Sequence, residues 1–243
     1  MRSLFVAWQD PQSRQWAPVG RLSRDDGQYR FVYTRGAEEV PNFTPFGRMT
    51  DLRAEYVSEK LFPLFANRIL AKSRPEYDRY MSWLGLERSS HDALEELART
   101  GGLRATDSLE LFPCPQPTAD HRYQVHFFCR GLRHFHLENQ TRAAELTVGE
   151  QLFVMQDCQN EQDRMALVLR TGDPITLVGY TPRYFSGEFT QLIRSVGANE
   201  VKVAVEKVNP QAPLQYRVLC QITAPWPANF QPCQDGAFRP LSK

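Results

Sequence analysis

The sequence has almost no excess of charge of either sign. Of its 243 residues, 29 are Lys or Arg and 28 are Asp or Glu, which leaves a formal net charge of +1. A balance this even excludes a general electrostatic attraction to nucleic acid or to a membrane surface, so any nucleic-acid contact must be local. The length and a hydrophobic content of 42% allow one large core or two modest ones, and we expect two domains.

Long apolar runs and paired cysteines are also missing. No run of about 18 apolar residues occurs, and the opening MRSLFVAWQDPQ lacks the apolar stretch of a signal peptide, so we expect a soluble, cytoplasmic protein without membrane contact. The five cysteines never form a C-x-x-C motif, and their mostly apolar neighbours indicate buried free thiols rather than metal ligands or nucleophiles. P-loop, G-x-S-x-G and paired-carboxylate signatures are absent, so we expect no enzyme activity, no cofactor and no metal.

The first 115 residues are typical of an α+β domain, with a small antiparallel sheet and helices. The runs SLFVAW and QYRFVYT indicate strands of this sheet. A helix is expected from Asp51 to Ile69, with Asp51 as its cap and with Pro63 kinking or dividing it. A second helix is expected from Arg74 to Gly85, before the clearest of the three helices.

The clearest helix lies in SSHDALEELARTGG. Either Ser89 or Ser90 is expected as its N-cap and Gly101 as its C-terminal stop. A strand, DSLELFP, follows, and prolines at 113, 115 and 117 then mark a domain boundary near 115–120.

Beyond that boundary the pattern changes to strands. One segment, SGEFTQLIRSVG, reads as a helix, and six read as strands: YQVHFFCRGL, EQLFVMQD, MALVLR, ITLVGYT, VKVAVEKV and YRVLCQITA. This composition predicts a mainly β, strongly curved sheet or small barrel over residues 120–225. Residues 226–243, rich in Pro, Asn and Gln, are expected to form a C-terminal loop or docked arm.

The segment QNEQDRMAL places Asn160, Asp163 and Arg164 between two of these strands. The plain interpretation is a hairpin turn, because Asn and Asp side chains satisfy the backbone groups of turns. The alternative is a binding site, since neighbouring strands end in residues of complementary chemistry: Arg133, His134, Phe135, Tyr180 and Arg183. A single-strand-binding pocket needs an Arg to bind a phosphate, flat rings to stack on bases, and polar groups to bind base edges or hydroxyls. Both interpretations stay open at this point.

Residues 121–224 resemble the HIRAN domain. The resemblance depends on three short motifs in order: G-L-R-aromatic-aromatic at 131–135, N-x-x-D-x-x-A at 160–166 and V-G-Y-x-P at 178–182. It implies a compact β-barrel related to OB and SH3-like barrels, and binding of single-stranded DNA at a free 3′-hydroxyl end. Eukaryotic members have two tyrosines after the Arg, whereas this chain has His134 and Phe135, which preserve stacking rings but no tyrosine hydroxyl.

The resemblance implies a role for several residues. Arg133 would pair with a terminal phosphate, His134 and Phe135 would stack on the last base, and Asn160 with Asp163 would hold the base or the terminal hydroxyl. A carboxylate repels a phosphate but accepts a hydrogen bond from a hydroxyl, so Asp163 would favour a 3′-OH over a 3′-phosphate. The range 121–224 holds 11 Lys plus Arg and 10 Asp plus Glu, which fits capture of a few terminal nucleotides.

Residues 3–113 resemble the N-terminal subdomain of HipA-type Ser/Thr kinases. The motifs are VGRL, then Asn67 in LFPLFANRIL, then Gly101 and Gly102 before LELFP, although Asp107-Ser108 replaces the usual Gly-Ala pair. The kinase core is missing, because no Gly-rich phosphate loop, H-x-D-type loop or D-F-G-like metal site follows. The resemblance therefore implies a protein-interaction module, whose partner would be a separately encoded HipA-like kinase, a helicase or a nuclease.

Three functions stay open. The first is a DNA-end-binding protein used in DNA repair, recombination or defence against foreign DNA such as that of phages. The second is a regulatory, antitoxin-like partner of a HipA-type kinase, as in toxin–antitoxin systems. The third is an interaction protein with no affinity for nucleic acid. We favour the first, and the first two are compatible with each other.

Two groups of residues allow both a structural and a functional interpretation. His126, His134 and His136 have the even spacing of one strand face, which a metal site could use, but ordinary surface or half-buried histidines are favoured because no Cys or carboxylate follows at zinc spacing. Trp226 and Phe230 lie just after the last predicted strand. Packing on the barrel's own core is favoured for them over closing on a bound base.

Overall fold

The computed structural model describes residues 2–90, 92–104 and 106–242. The chain divides into two compact units, the first formed by residues up to 77, 89–114 and from 231, the second by residues 78–88 and 115–230. Within the described ranges, no helix combines the length and the apolar character that crossing a membrane would need.

Helices and strands are numbered in chain order. Up to residue 113 they are β1 (Arg2–Gln9), β2 (Trp16–Asp25), β3 (Gln28–Tyr33), α1 (Gly36–Glu39), β4 (Glu55–Ser58), α2 (Pro63–Ala66), α3 (Tyr77–Leu84), α4 (Ala93–Thr100) and β5 (Leu109–Pro113). From residue 122 they are β6 (Arg122–Phe128), α5 (Leu137–Ala144), β7 (Gln151–Gln156), β8 (Leu167–Arg170), β9 (Leu177–Tyr180), α6 (Ser186–Val196), β10 (Lys202–Val208) and β11 (Val218–Pro225). Turns of 3-10 helix cover Arg88–Ser90, Leu132–His134, Arg183–Phe185, Leu214–Tyr216 and Gly236–Phe238.

The first unit contains the small antiparallel sheet that the sequence predicts, with strand order β4-β3-β2-β1-β5. Its core is aromatic: the ring of Phe31 lies 4.9 Å from that of Tyr33 and 5.6 Å from that of Phe65. The Tyr33 hydroxyl donates to the carbonyl of Met49 at 2.7 Å, and burial raises the pKa of Tyr33 to about 12. The C-terminal arm docks on this unit, where the Leu241 amide donates to the Tyr33 carbonyl at 2.9 Å.

The helix expected from Asp51 to Ile69 is wrong. Asp51 instead forms a tight turn, accepting from the Arg53 amide at 2.8 Å, and the next residues form β4 at the edge of the sheet. Pro63 then begins the one-turn helix α2 rather than kinking a longer one. Pairing of β4 with β3 outweighs the helical spacing of the apolar residues, of which Tyr56 lies in β4.

The helix expected around residues 89–101 is confirmed as α4, but its cap is neither serine. The Asp92 carboxylate accepts from the Leu94 amide at 2.8 Å, so the helix begins later than predicted. Gly101 ends it with φ of 72°, in the left-handed region that favours glycine. The helix expected before it is confirmed as α3.

The second unit contains one curled antiparallel sheet of six strands in the order β6-β11-β10-β7-β8-β9. All six strands lie in the segments that predict them, and the helix expected over 186–197 is α6. Helix α5 was not predicted from the sequence. Among its described residues it buries only a small side chain, Ala143, so LENQTRAA contains few apolar residues to indicate a helix.

The curl brings the two edge strands together. Just after β6, Arg130 forms a bridge with Tyr180 at the end of β9, each amide donating to the other's carbonyl at 2.8 Å. Gly179 allows this approach, because a Cβ there would lie 2.9 Å from Cβ of Cys129, and its φ of 134° disfavours any side chain. The curved, barrel-like sheet predicted from sequence is thereby confirmed.

The last segment of the second unit closes over the core of the same unit. The Trp226 ring lies 5.3 Å from that of Phe230 and 6.0 Å from that of Tyr123, and Phe230 is only 3% exposed. These contacts match the core-packing interpretation of the pair. The expectation of buried free thiols holds for Cys129 and Cys220, whose sulfurs lie 3.5 Å apart. It is wrong for Cys158, which is exposed.

Candidate nucleic-acid interface

Asn160 organises the connection between β7 and β8. Its side-chain oxygen accepts from the amides of Gln162 and Asp163 at 3.0 and 2.9 Å, and its amide group donates to Oδ2 of Asp157 at 3.0 Å. The segment is closed by a bond from the Asp157 amide to the Ala166 carbonyl at 2.9 Å. Asn160 therefore acts as a turn residue, as the plain interpretation of the sequence predicts.

Asp163 connects this turn to a second segment. Its Oδ1 accepts from the Met165 amide at 2.9 Å, while its Oδ2 lies 3.0 Å from Nε of Arg183. Arg183 also donates to the carbonyl of Gln162. Both side chains of the ion pair are largely covered, with 17% of Asp163 and 28% of Arg183 exposed, so the carboxylate holds the guanidinium against the turn.

Tyr180 connects the turn to a third segment. Its hydroxyl donates to Oδ2 of Asp157 at 2.8 Å, and its ring lies 5.5 Å from that of Phe135 at an angle of 30°. The bonds from Asn160 and Tyr180 lower the pKa of Asp157, whereas burial and the adjacent carboxylate raise the pKa of Tyr180. The acid is therefore held ionised and the phenol neutral.

Arg133 and His134 are presented on a short turn that Gly131 begins. Gly131 has φ of 68°, and a Cβ there would lie 3.1 Å from Cδ2 of Tyr180. Arg133 and His134 are exposed, with Nε of Arg133 donating to Nε2 of His134 at 3.1 Å. The glycine thus allows two exposed side chains and a half-buried ring, Phe135, to follow one another beside Tyr180.

Most of the eight residues that the sequence indicates lie in one connected set. Contacts join five of them through Asp157: Phe135, Asn160, Asp163, Tyr180 and Arg183. Arg133 and His134 adjoin the set through Phe135, and Arg164 is exposed next to Asp163 in the turn. Their roles in binding stay predictions.

Asp157 is the residue that the sequence analysis missed. It receives the bonds of both Tyr180 and Asn160, and so lies at the centre of the set. A signal for it exists in the sequence, because Asp157, directly after β7, continues the alternation of Phe153 and Met155 on one face of the strand.

The histidines have ordinary surroundings in the structure. Nε2 of His126 lies 2.9 Å from Oε2 of Glu206 and 2.8 Å from Nε2 of Gln221. In the part of the chain that the structure describes, no group of three or more His, Cys, Asp or Glu is arranged to hold a metal ion.

Comparisons with known proteins give two similar structures. A protein from Lactobacillus plantarum is similar with 16% identity and a TM-score of 0.32, over 42% of this chain and 96% of its own. The HIRAN domain of human HLTF is similar with 14% identity and a TM-score of 0.31, over 42% of this chain and 74% of its own. No family model and no curated protein matches the sequence.

Proposed function

We propose that the second unit binds single-stranded DNA at a 3′ end carrying a free hydroxyl. The observation that carries this proposal is the connected set around Asp157, which joins three segments far apart in sequence and leaves Arg133 and His134 exposed beside a pair of rings. Rings for stacking next to guanidinium and amide groups are what single-strand recognition requires. The motifs shared with the HIRAN domain at 131–135, 160–166 and 178–182 support the same function.

Each group has a distinct part in this proposal. Arg133 and His134 contact the backbone and last base from the exposed turn, while Phe135 and Tyr180 provide aromatic surface. Arg183, oriented by Asp163, supplies a second guanidinium for a phosphate. Oδ2 of Asp163 lies 3.0 Å from Nε of Arg183, and in this proposal the same carboxylate accepts from a terminal hydroxyl, whereas its charge repels a terminal phosphate.

The test is binding of a short labelled single strand, measured by fluorescence anisotropy at low and moderate salt. Arg133→Ala is expected to weaken binding by about 1 to 3 kcal/mol, because a charged partner of a phosphate is lost. Arg194→Ala is the matched control, since Arg194 is an exposed arginine on α6 outside the set. Equal binding by both variants and the unmodified protein would contradict the proposal, as would the absence of binding to any strand.

A further inference from the structure

Large apolar side chains are exposed on the outward face of β7. Phe153 is 37% exposed and Met155 is 42% exposed, whereas Leu152, pointing to the opposite face, is buried. The next outward residue is Asp157, which bonds to Tyr180. The apolar residues therefore continue the same face on which the candidate end site lies.

Strand register extends this face to the aromatic pair of the end site. Met155 is paired with Val168 on β8, and Val168 is paired with Tyr180 on β9. Directly opposite residues of antiparallel strands share a face, so these three side chains form one row across the sheet. Two interstrand spacings separate Met155 from Tyr180, which is about 10 Å.

The neighbouring row provides a positive charge. Phe153 is paired with Arg170, whose guanidinium carbon lies 4.6 Å from the centroid of the Phe153 ring. Nη1 of Arg170 donates to the Thr171 carbonyl at 2.9 Å, which fixes the guanidinium. Phe153 and Arg170 lie on the side of Met155 away from Asp157, so this cation is at the end of the face farthest from the carboxylate.

We infer that Phe153, Met155 and Arg170, here called the β7 face, form a second subsite for single-stranded DNA that takes the nucleotides preceding the terminal one. This inference rests on the proposed end site. Met155 and the exposed part of Phe153 contact bases, and Arg170 donates to a phosphate.

Nucleic acid is the occupant that the geometry favours over an apolar protein segment. Met155 and Tyr180 lie on either side of Val168, which is buried, so a strand whose last base lies on the Phe135–Tyr180 pair crosses Val168 and meets Met155. The accompanying charge on the face is a guanidinium stacked on a ring, an arrangement that suits both a phosphate and the plane of a base.

The test compares two strands with free 3′ hydroxyls and a 5′ label, one of about two nucleotides, too short to cross the row to Met155, and one of about nine, a length within the range that small barrels cover. The unmodified protein is expected to bind the longer strand about tenfold more tightly. Met155→Ser and Phe153→Ala are expected to remove most of that gain and to leave binding of the shorter strand unchanged. Arg170→Gln is expected to reduce the dependence of longer-strand binding on salt.

Val148→Ala is the matched control, because Val148 is an exposed apolar residue in the loop before β7 and lies off this face. Thermal unfolding of each variant shows whether the fold is kept. Equal affinity for both strands, with variants like the unmodified protein, would overturn the subsite while leaving the end site intact, and would leave a protein segment as the occupant of the face. Absence of binding to either strand would overturn the end site and the subsite together.

Discussion

The Tyr180 hydroxyl donates to Oδ2 of Asp157 at 2.8 Å, and this bond ties the end of β9 to the beginning of the β7–β8 connection. The same carboxylate oxygen accepts from Asn160 at 3.0 Å, so one oxygen holds two of the three segments of the candidate site. The third segment is held by the ring of Tyr180 against Phe135. The polar turn and the aromatic pair are therefore one structural unit.

Removing that hydroxyl has a measurable effect on Asp157. In Tyr180→Phe the ring contact with Phe135 is kept, while the carboxylate loses one of the three hydrogen bonds that lower its pKa. We expect the pKa of Asp157 to rise towards its ordinary value in an NMR pH titration, and the free energy of unfolding to fall by about 1 kcal/mol.

The pH dependence of that loss has a definite sign. Because the pKa of Asp157 is lowered in the folded chain, its stabilisation is present above the ordinary Asp range and is lost as the pH falls through the folded value. The difference between the variant and the unmodified protein should therefore be largest near neutral pH and shrink in acid. A difference that does not change with pH would contradict this role of the carboxylate.

The Asp163–Arg183 pair is expected to couple energetically. In a double-mutant cycle with Asp163→Asn and Arg183→Gln, urea unfolding should give a coupling energy of about 1 kcal/mol, since the pair is partly covered and lies at 3.0 Å. Coupling near zero would mean that Asp163 acts only through its backbone bonds in the turn. A cycle of Asp163→Asn with the exposed Arg194→Gln serves as the control.

Glu188 on α6 should make the free energy of unfolding depend on pH with the opposite sign to Asp157. Burial raises the pKa of Glu188 to about 7 from an ordinary 4.5, although a hydrogen bond from the Tyr123 hydroxyl acts in the other direction. The folded chain keeps a proton that the unfolded chain releases, so this contribution to stability is complete below pH 4.5 and is lost as the pH rises to about 7.

Urea unfolding across that pH range tests the assignment. Glu188→Gln should flatten the decline, because the amide cannot titrate. Glu138→Gln, which changes an exposed carboxyl on α5, should leave the decline as it is. A decline that persists unchanged in Glu188→Gln would contradict the assignment to this carboxyl.

The second unit was more predictable from sequence than the first. Its strands alternate or run apolar and are separated by clear turn residues, so all six were located. The glycines of the motifs also have a structural reason, since at Gly131 and Gly179 another ring or backbone lies too close for a side chain. The sheet closure that needs them depends on long-range pairing of Arg130 with Tyr180, which local patterns do not contain.

Errors in the first unit have a common physical origin. The segment from Asp51 to Ile69 has helical spacing, yet pairing with β3 takes Glu55–Ser58 into the sheet, a tertiary effect that propensity does not register. Residues 78–88 belong to the second unit, and residues from 231 belong to the first. The local sequence of these two segments does not indicate to which unit they belong. The resemblance of residues 3–113 to the HipA subdomain, with its kinase, helicase or nuclease partners, stays a prediction.

The candidate site residues were indicated by chemistry that is unusual for strand ends, and their roles stay predictions, whereas Asp157 was overlooked. It follows β7 directly and bonds to Tyr180, a residue 23 positions away, so its place in the set comes from the fold rather than from its neighbours in sequence. The sequence indicated the parts of the set, and the curled sheet brings them together.

Recognition of the 3′ end is tested most directly by anisotropy of the full chain with two strands that differ only in a 3′ hydroxyl or a 3′ phosphate. We expect tighter binding of the hydroxyl strand and loss of that preference in Asp163→Asn, because the carboxylate no longer repels the phosphate. Equal binding of both ends by the unmodified protein, or no binding to either strand, would contradict recognition of a 3′-hydroxyl end.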